Sequence, residues 1–125
     1  MKTKPTTKIV ITNLTGDVTD NRRMIPAHGR LISSSEYRAW KEAQINLVRQ
    51  QFNKLRCYHA TFEDQKPYYV EIWMKNKRTD QANWDKGIRD VLTQAGTWND
   101  DKWWYPIYTP CKIDAKNPRA EIYLN

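Results

Sequence analysis

Cysteine is scarce in this chain: Cys57 and Cys111 are the only two among 125 residues. They are too few and too far apart for a zinc site or a disulfide framework, and read as two free thiols in a reducing compartment with packing roles. Long apolar runs are also missing. Met1 to Lys8 has no apolar core of a leader peptide, and Ile9-Val10-Ile11 is far too short to span a membrane. Repeats, low-complexity tracts and linkers are absent as well. The expectation is a cytosolic protein that is not embedded in a membrane, with one domain over residues 1–125 and a core of its own.

Acidic residues are the minority charge. Fourteen Asp and Glu face twenty-one Lys and Arg, giving a net charge of +7 and a pI of about 9.5. That balance favours anionic partners, nucleic acid first and an anionic membrane surface second, although a merely soluble basic protein has the same arithmetic. Six Trp and seven Tyr argue against disorder, because they are ample surface to bury.

Lys8 to Leu14 is a β-branched run ending at Gly16-Asp17, and reads as the first strand. Thr19 to Ser35 has no periodicity and reads as a polar loop carrying Arg22, Arg23, His28 and Arg30. Ser33 and Glu36 fit a capping box, opening a helix with Tyr37, Trp40, Leu47, Val48 and Leu55 near 3.6-residue spacing. It is expected to run to about Cys57–His59, with Tyr58 to Phe62 as a possible strand instead. Asp64 to Pro67 is a turn and Tyr68 to Met74 a strand. Trp84, Ile88, Val91, Leu92 and Ala95 form the buried stripe of a second helix stopped by Gly96. Trp103 to Pro110, Cys111 to Asp114 and Ala120 to Leu124 are strand-like, with Pro106 and Pro110 confining the first of these to an edge or bulge. The order β-α-β-α-β-β predicts an α+β fold, a small mixed sheet with two helices on one face.

Chemistry concentrates between Lys75 and Asp101. A basic run, Lys75, Lys77 and Arg78, leads to Asp80 just ahead of the second helix. At 100° per residue Asn83, Lys86 and Asp90 share a face opposite the apolar stripe. Asp100 and Asp101 follow the helix, and a loop folding back from Gly96 could bring Asp101 towards Asp80. Carboxylates at both ends of such a unit suit a hard cation, and the flanking bases suit a polyanion. The plain structural account makes Asp80 an N-cap, Lys86 a solvated lysine and Asp100-Asp101 a turn.

The segment resembles the signature of the RusA-type Holliday-junction resolvases, in which Asp-x-Asp-Asn-x-x-Lys opens a helix and an Asp-Asp pair follows a Gly-x-Trp-x turn. Asp80, Asn83, Lys86, Asp90, Leu92, Gly96, Trp98, Asp100 and Asp101 match it without a gap. Asn21-Arg22-Arg23, Gly29-Arg30, Tyr37-Arg38 and the terminal strand extend the likeness over nearly the whole chain. The match is poorest over Tyr58 to Lys66 and Trp103 to Pro110. The resemblance implies Asp80 and Asp101 as catalytic metal-binding aspartates, with Asp100 as a further candidate ligand, and Lys86 as the catalytic lysine. The sequence departs from the pattern at Ala82, where the family has its second aspartate. Asp85 lies three residues on, but on a helix should point away from the face of Lys86.

The implied activity is magnesium-dependent hydrolysis of branched DNA, with manganese as an alternative ion, by a homodimer in the cytoplasm of a bacterial or phage-infected cell. Magnesium needs only one or two protein carboxylates beside phosphate oxygens, so losing one aspartate need not abolish binding. Arg22, Arg23, Arg30, Lys75, Lys77 and Arg78 are the expected DNA contacts. Trp103, Trp104 and Tyr105 could stack on bases at a branch point, though core or dimer packing suits them better. His28 and His59 read as a plain loop residue and a plain helix-end residue. Two other functions remain open on sequence: a junction-binding protein impaired by Ala82, and a basic RNA-binding domain sharing only the fold.

Overall fold

A computed structural model describes residues 7–15, 24–27, 30–52, 57–77 and 84–124, with residues 24–27 and 30–33 described by their backbone. In chain order they form β1 (Thr7–Thr12), β2 (Met24–Ala27), β3 (Arg30–Ser33), α1 (Ser35–Gln51), β4 (Lys66–Met74), α2 (Asp85–Gln94), a 3-10 turn (Asp101–Trp103), β5 (Trp104–Tyr108), β6 (Lys112–Ile113) and β7 (Arg119–Leu124).

Alternation along the strands builds the main sheet. Tyr68, Val70, Ile72 and Met74 of β4 are buried while Tyr69 between them is exposed, and Ile9 and Ile11 of β1 and Ala120, Ile122 and Leu124 of β7 are buried too. The strand order is β1-β7-β4-β5, with β6 also pairing β4. β7 runs antiparallel to β1 and β4, whereas β5 and β6 run parallel to β4. A parallel β4–β5 pair requires a crossover, and α2 makes it. Pro106 lies in β5, at the end of the strand order, as a residue without an N–H requires.

Both helices cover the inner face of the sheet in one continuous core. α1 contributes Tyr37, Trp40 and Val48, and α2 contributes Ile88, Val91 and Leu92. α2 has only ten residues, too few to be stable alone. Burying each of its aliphatic side chains is worth roughly 1.5–3 kcal/mol, so packing, not propensity, makes it a helix. The fold is α+β, as the order of patterns predicts.

β1 is an edge strand whose outward backbone groups would invite pairing with another chain. Side chains of α1 occupy those of Val10 and Thr12. Gln51 accepts from Val10 N (2.8 Å) and donates to Val10 O (2.9 Å), Gln44 accepts from Thr12 N (2.9 Å), and Trp40 Nε1 donates to Thr12 O (2.9 Å). Where α1 crosses α2, Gly87 takes the close position: a Cβ built there would meet the Trp40 ring at 3.3 Å.

Several local expectations are corrected. The stretch read as a loop contains the β2–β3 hairpin, pairing Met24 with Ser33 and Ala27 with Arg30; strands of four residues are too short to display a period. The cap of α1 is Ser34, not Ser33: its hydroxyl accepts from Tyr37 N at 3.1 Å. Ser33 ends β3, and Glu36 accepts from the Ser35 hydroxyl. α1 stops at Gln51, where Phe52 turns extended and packs on Tyr58. Tyr58 itself makes a single parallel bridge, to Trp98. Trp84 is the cap position of α2, without a side-chain hydrogen bond, while Asp80, which the plain structural account made the cap, lies outside the described residues.

Candidate active site

α2 ends where the sequence requires. Gly96 has φ of 82°, the left-handed conformation that costs other residues a Cβ clash. Thr97 N donates to Leu92 O (3.0 Å) and Gly96 N to Thr93 O (3.1 Å), the paired bonds of a Schellman motif. The chain then turns at Trp98, whose ring stacks on Trp104 (5.3 Å) and meets Tyr68 edge-on (5.0 Å), while its Nε1 donates to Thr93 Oγ1 at 2.8 Å. This aromatic block delivers Asp100 and Asp101 to the side of α2.

Two polar clusters flank α2. On the side of α1, Lys86 Nζ pairs with Asp90 at 3.1 Å, one turn along, and the Tyr37 hydroxyl donates to the other Asp90 oxygen at 2.9 Å. Lys86 remains half exposed while Asp90 is largely covered. On the side of the sheet, Asp85 accepts from Tyr108 Oη (2.7 Å), more loosely from Tyr68 Oη (3.5 Å), and from Arg89 Nε (3.1 Å). Arg89 Nη1 reaches the carbonyls of Asp101 and Trp104, both at 3.4 Å. One guanidinium thus ties the first turn of α2 to the turn that carries Asp101. Burial, and then the neighbouring Asp85 carboxylate, push the Tyr68 and Tyr108 hydroxyls well above their ordinary value of 10.0.

Asp100 caps the 3-10 turn. Its Oδ1 accepts from Lys102 N at 3.1 Å, and Lys102 Nζ lies 3.4 Å from Oδ2. The backbone hydrogen bond, more than the lysine charge, holds its carboxyl below the usual range. Asp101 is partly exposed beside it. Among the described residues no three His, Cys, Asp or Glu side chains converge on one point, and Asp85 and Asp90 are committed to tyrosines and cations. Among the described residues, Asp100, which also holds Lys102, and the adjacent Asp101 add two further carboxylates. Hard oxygen donors in that number fit a magnesium ion that keeps most of its waters.

A family model, endodeoxyribonuclease RusA, matches residues 15–125. The chain belongs to the RusA endodeoxyribonuclease family. No individual curated protein matches it significantly. RusA membership implies an enzyme that resolves Holliday junctions in DNA. No helix among the described residues is long and apolar enough to cross a membrane.

Of the RusA-signature positions, Lys86 and Asp90 are brought together and Asp101 is linked to α2 through its backbone. Asp80, Ala82, Asn83, Arg22, Arg23, Arg78 and His28 lie outside the described residues, and Arg30 is described only as the first backbone position of β3. Lys75 and Lys77 are exposed just past the end of β4. Trp104 is buried in the core, and Trp103 packs edge-on against Phe62, so packing accounts for both; Tyr105 is 45% exposed. Sequence reasoning missed Arg89, Tyr37, Tyr68 and Tyr108. The Asp85–Arg89 spacing of i, i+4 was the available signal for the first. The tyrosines come from other elements and left none.

Proposed function

We propose that this protein is a magnesium-dependent, homodimeric endonuclease that resolves Holliday junctions by paired symmetric nicks. The observation that carries the reading is Lys86: a half-exposed cation fixed on the first turn of α2 by Asp90 and Tyr37, in a chain of the RusA family. A lysine held in this way need not reorganise as charge builds on a phosphoryl oxygen, which is where preorganised cations lower barriers most.

In this reading Asp80 and Asp101 hold the metal, with Asp100 as an auxiliary oxygen donor. The bound ion would polarise the scissile phosphate and lower the pKa of the attacking water. Lys86 stabilises the charge developing on the non-bridging oxygens while water replaces the leaving 3′ or 5′ oxygen. Arg89 acts from behind, holding the Asp101 turn against α2. Arg22, Arg23, Arg30, Lys75, Lys77 and Arg78 contact phosphates of the arms. A four-way junction has two-fold symmetry, so a two-fold dimer presents one site to each of two opposed strands. Ala82 leaves the site one carboxylate short of the family pattern, which magnesium tolerates because waters and substrate oxygens complete its shell.

The test is cleavage of a labelled four-way junction with magnesium against a chelator, using wild type, Lys86→Ala and Asp101→Asn. Wild type should cut only with the metal. Lys86→Ala should lose ~10²-fold or more, and Asp101→Asn should lose cleavage while binding junctions at least as well, having shed a negative charge near phosphate. Undiminished cutting by both variants would remove this cluster from the chemistry.

A further inference from the structure

A groove of about 640 Å³ runs along the exposed side of α1, lined by Arg38, Lys41, Glu42, Ile45, Arg49 and, from the end of α2, Gln94. Arg38, Lys41, Ile45 and Arg49 follow i, i+3, i+7 and i+11, which places them on one face of the helix, beside the face that Tyr37, Trp40, Gln44 and Val48 bury. Three cations oppose the single carboxylate of Glu42. Arg49 does not sweep freely: its Nη2 donates to Gln94 O at 3.1 Å, holding the guanidinium across the seam between the helices. At its other end the groove meets the candidate active site: Lys41 Nζ lies over the Tyr37 ring at 5.6 Å, and Tyr37 holds Asp90, the partner of Lys86.

We propose that this groove is a phosphate track for one DNA arm leaving the active site. The proposal rests on the reading of the protein as a junction nuclease, and adds a surface that the signature residues do not include. Charge complementarity and continuity with Lys86 carry it. From Arg38 to Arg49 the helix rises ~16 Å, equal to the axial rise of about five base pairs of a duplex. Such contacts fix the direction of an arm without reading its sequence. The groove therefore serves branched DNA of any arm sequence, adding affinity without setting the geometry at Lys86.

The experiment compares wild type, Arg38→Gln/Lys41→Gln, and Lys66→Gln/Lys116→Gln, which removes the same charge from outside the groove. Equilibrium binding to a four-way junction is measured as a function of salt, with thermal melts confirming that each protein is folded. The groove variant should show a log–log salt slope shallower by about 2 per protomer, and affinity ~10-fold weaker near 0.1 M salt, whatever the arm sequence. Its cleavage rate at saturating junction should stay within about twofold, because bound substrate still meets Lys86. A groove variant that keeps the slope and affinity of the control pair overturns the track while leaving the nuclease reading intact. Wild type that binds no branched DNA overturns both.

Discussion

Replacing Arg89 with methionine tests the link between α2 and the turn carrying Asp101. Methionine keeps the length and apolar stem but deletes the Nε bond to Asp85 (3.1 Å) and the two 3.4 Å contacts to the carbonyls of Asp101 and Trp104. A charge-assisted hydrogen bond is worth ~1.5–3 kcal/mol. The low end applies, because the two side chains are 22% and 34% exposed and solvent screens the pair. The long carbonyl contacts add a few tenths, for a total of about 2 kcal/mol. At ~2.1 cal/mol/K per residue, 125 residues have an unfolding entropy of about 0.26 kcal/mol/K, so Tm should fall by about 8 °C. A thermal melt reads this directly. Asp85→Asn in both backgrounds completes a double-mutant cycle, expected to show coupling of ~1 kcal/mol or more. Junction cleavage should fall further than junction affinity, because the Asp101 turn loses its tether while the phosphate-binding surface is untouched. A Tm loss below about 2 °C together with coupling under ~0.3 kcal/mol would refute the tether.

Three further outcomes are expected. Ala82→Asp should raise cleavage or tighten the magnesium dependence if the site is one ligand short; a metal titration of activity that shifts the opposite way would show that a neighbouring group already fills the role. Gly96→Ala meets no atom within 4 Å but inherits φ of 82°, so its cost is conformational alone, ~1–2 kcal/mol or about 4–8 °C in Tm, and a melt unchanged within 1 °C would contradict the left-handed cap. At alkaline pH, burial and Glu121 push Tyr123 up to about 12, and burial and Asp85 push Tyr68 and Tyr108 higher still. Raised phenol values mean that folding favours the protonated form, so this stabilisation is complete below pH 10 and is lost as pH climbs through the folded-state values. Absorbance titration should show a tyrosine fraction that ionises only as the protein unfolds; all seven tyrosines titrating together near 10 in folded protein would refute it.

What the sequence revealed follows the range of the interactions involved. The stripe from Trp84 to Ala95 and the stop at Gly96 were legible because helix period and left-handed turns are local. The Lys86–Asp90 pair was legible as a shared face for the same reason. The β2–β3 hairpin was not, because four-residue strands containing Pro26 have no pattern to read. Nor was the role of Asp85. Its spacing showed that it points away from Lys86, but not that Tyr68 and Tyr108 would meet it, since those hydroxyls arrive from strands set by the whole sheet. The capping error at Ser33 was one residue wide. Three consecutive serines offered equivalent caps, and the end of β3 chose among them.

Gly87 limits how the protein can be engineered. A glycine inside a helix is the usual first target for thermostabilisation, since alanine there gains roughly 0.5–1 kcal/mol. Here that methyl would press on the Trp40 ring at 3.3 Å, and Trp40 cannot swing away without giving up its hydrogen bond to Thr12 O on the open edge of β1. Relief would have to come from moving α1 outward, and Tyr37 travels with α1. The hydroxyl that steadies Asp90, and through it Lys86, would then retreat from the helix it serves. A variant selected for stability at this position would therefore trade away the alignment of its own reactive lysine, and the spacing of two helices becomes a setting for turnover.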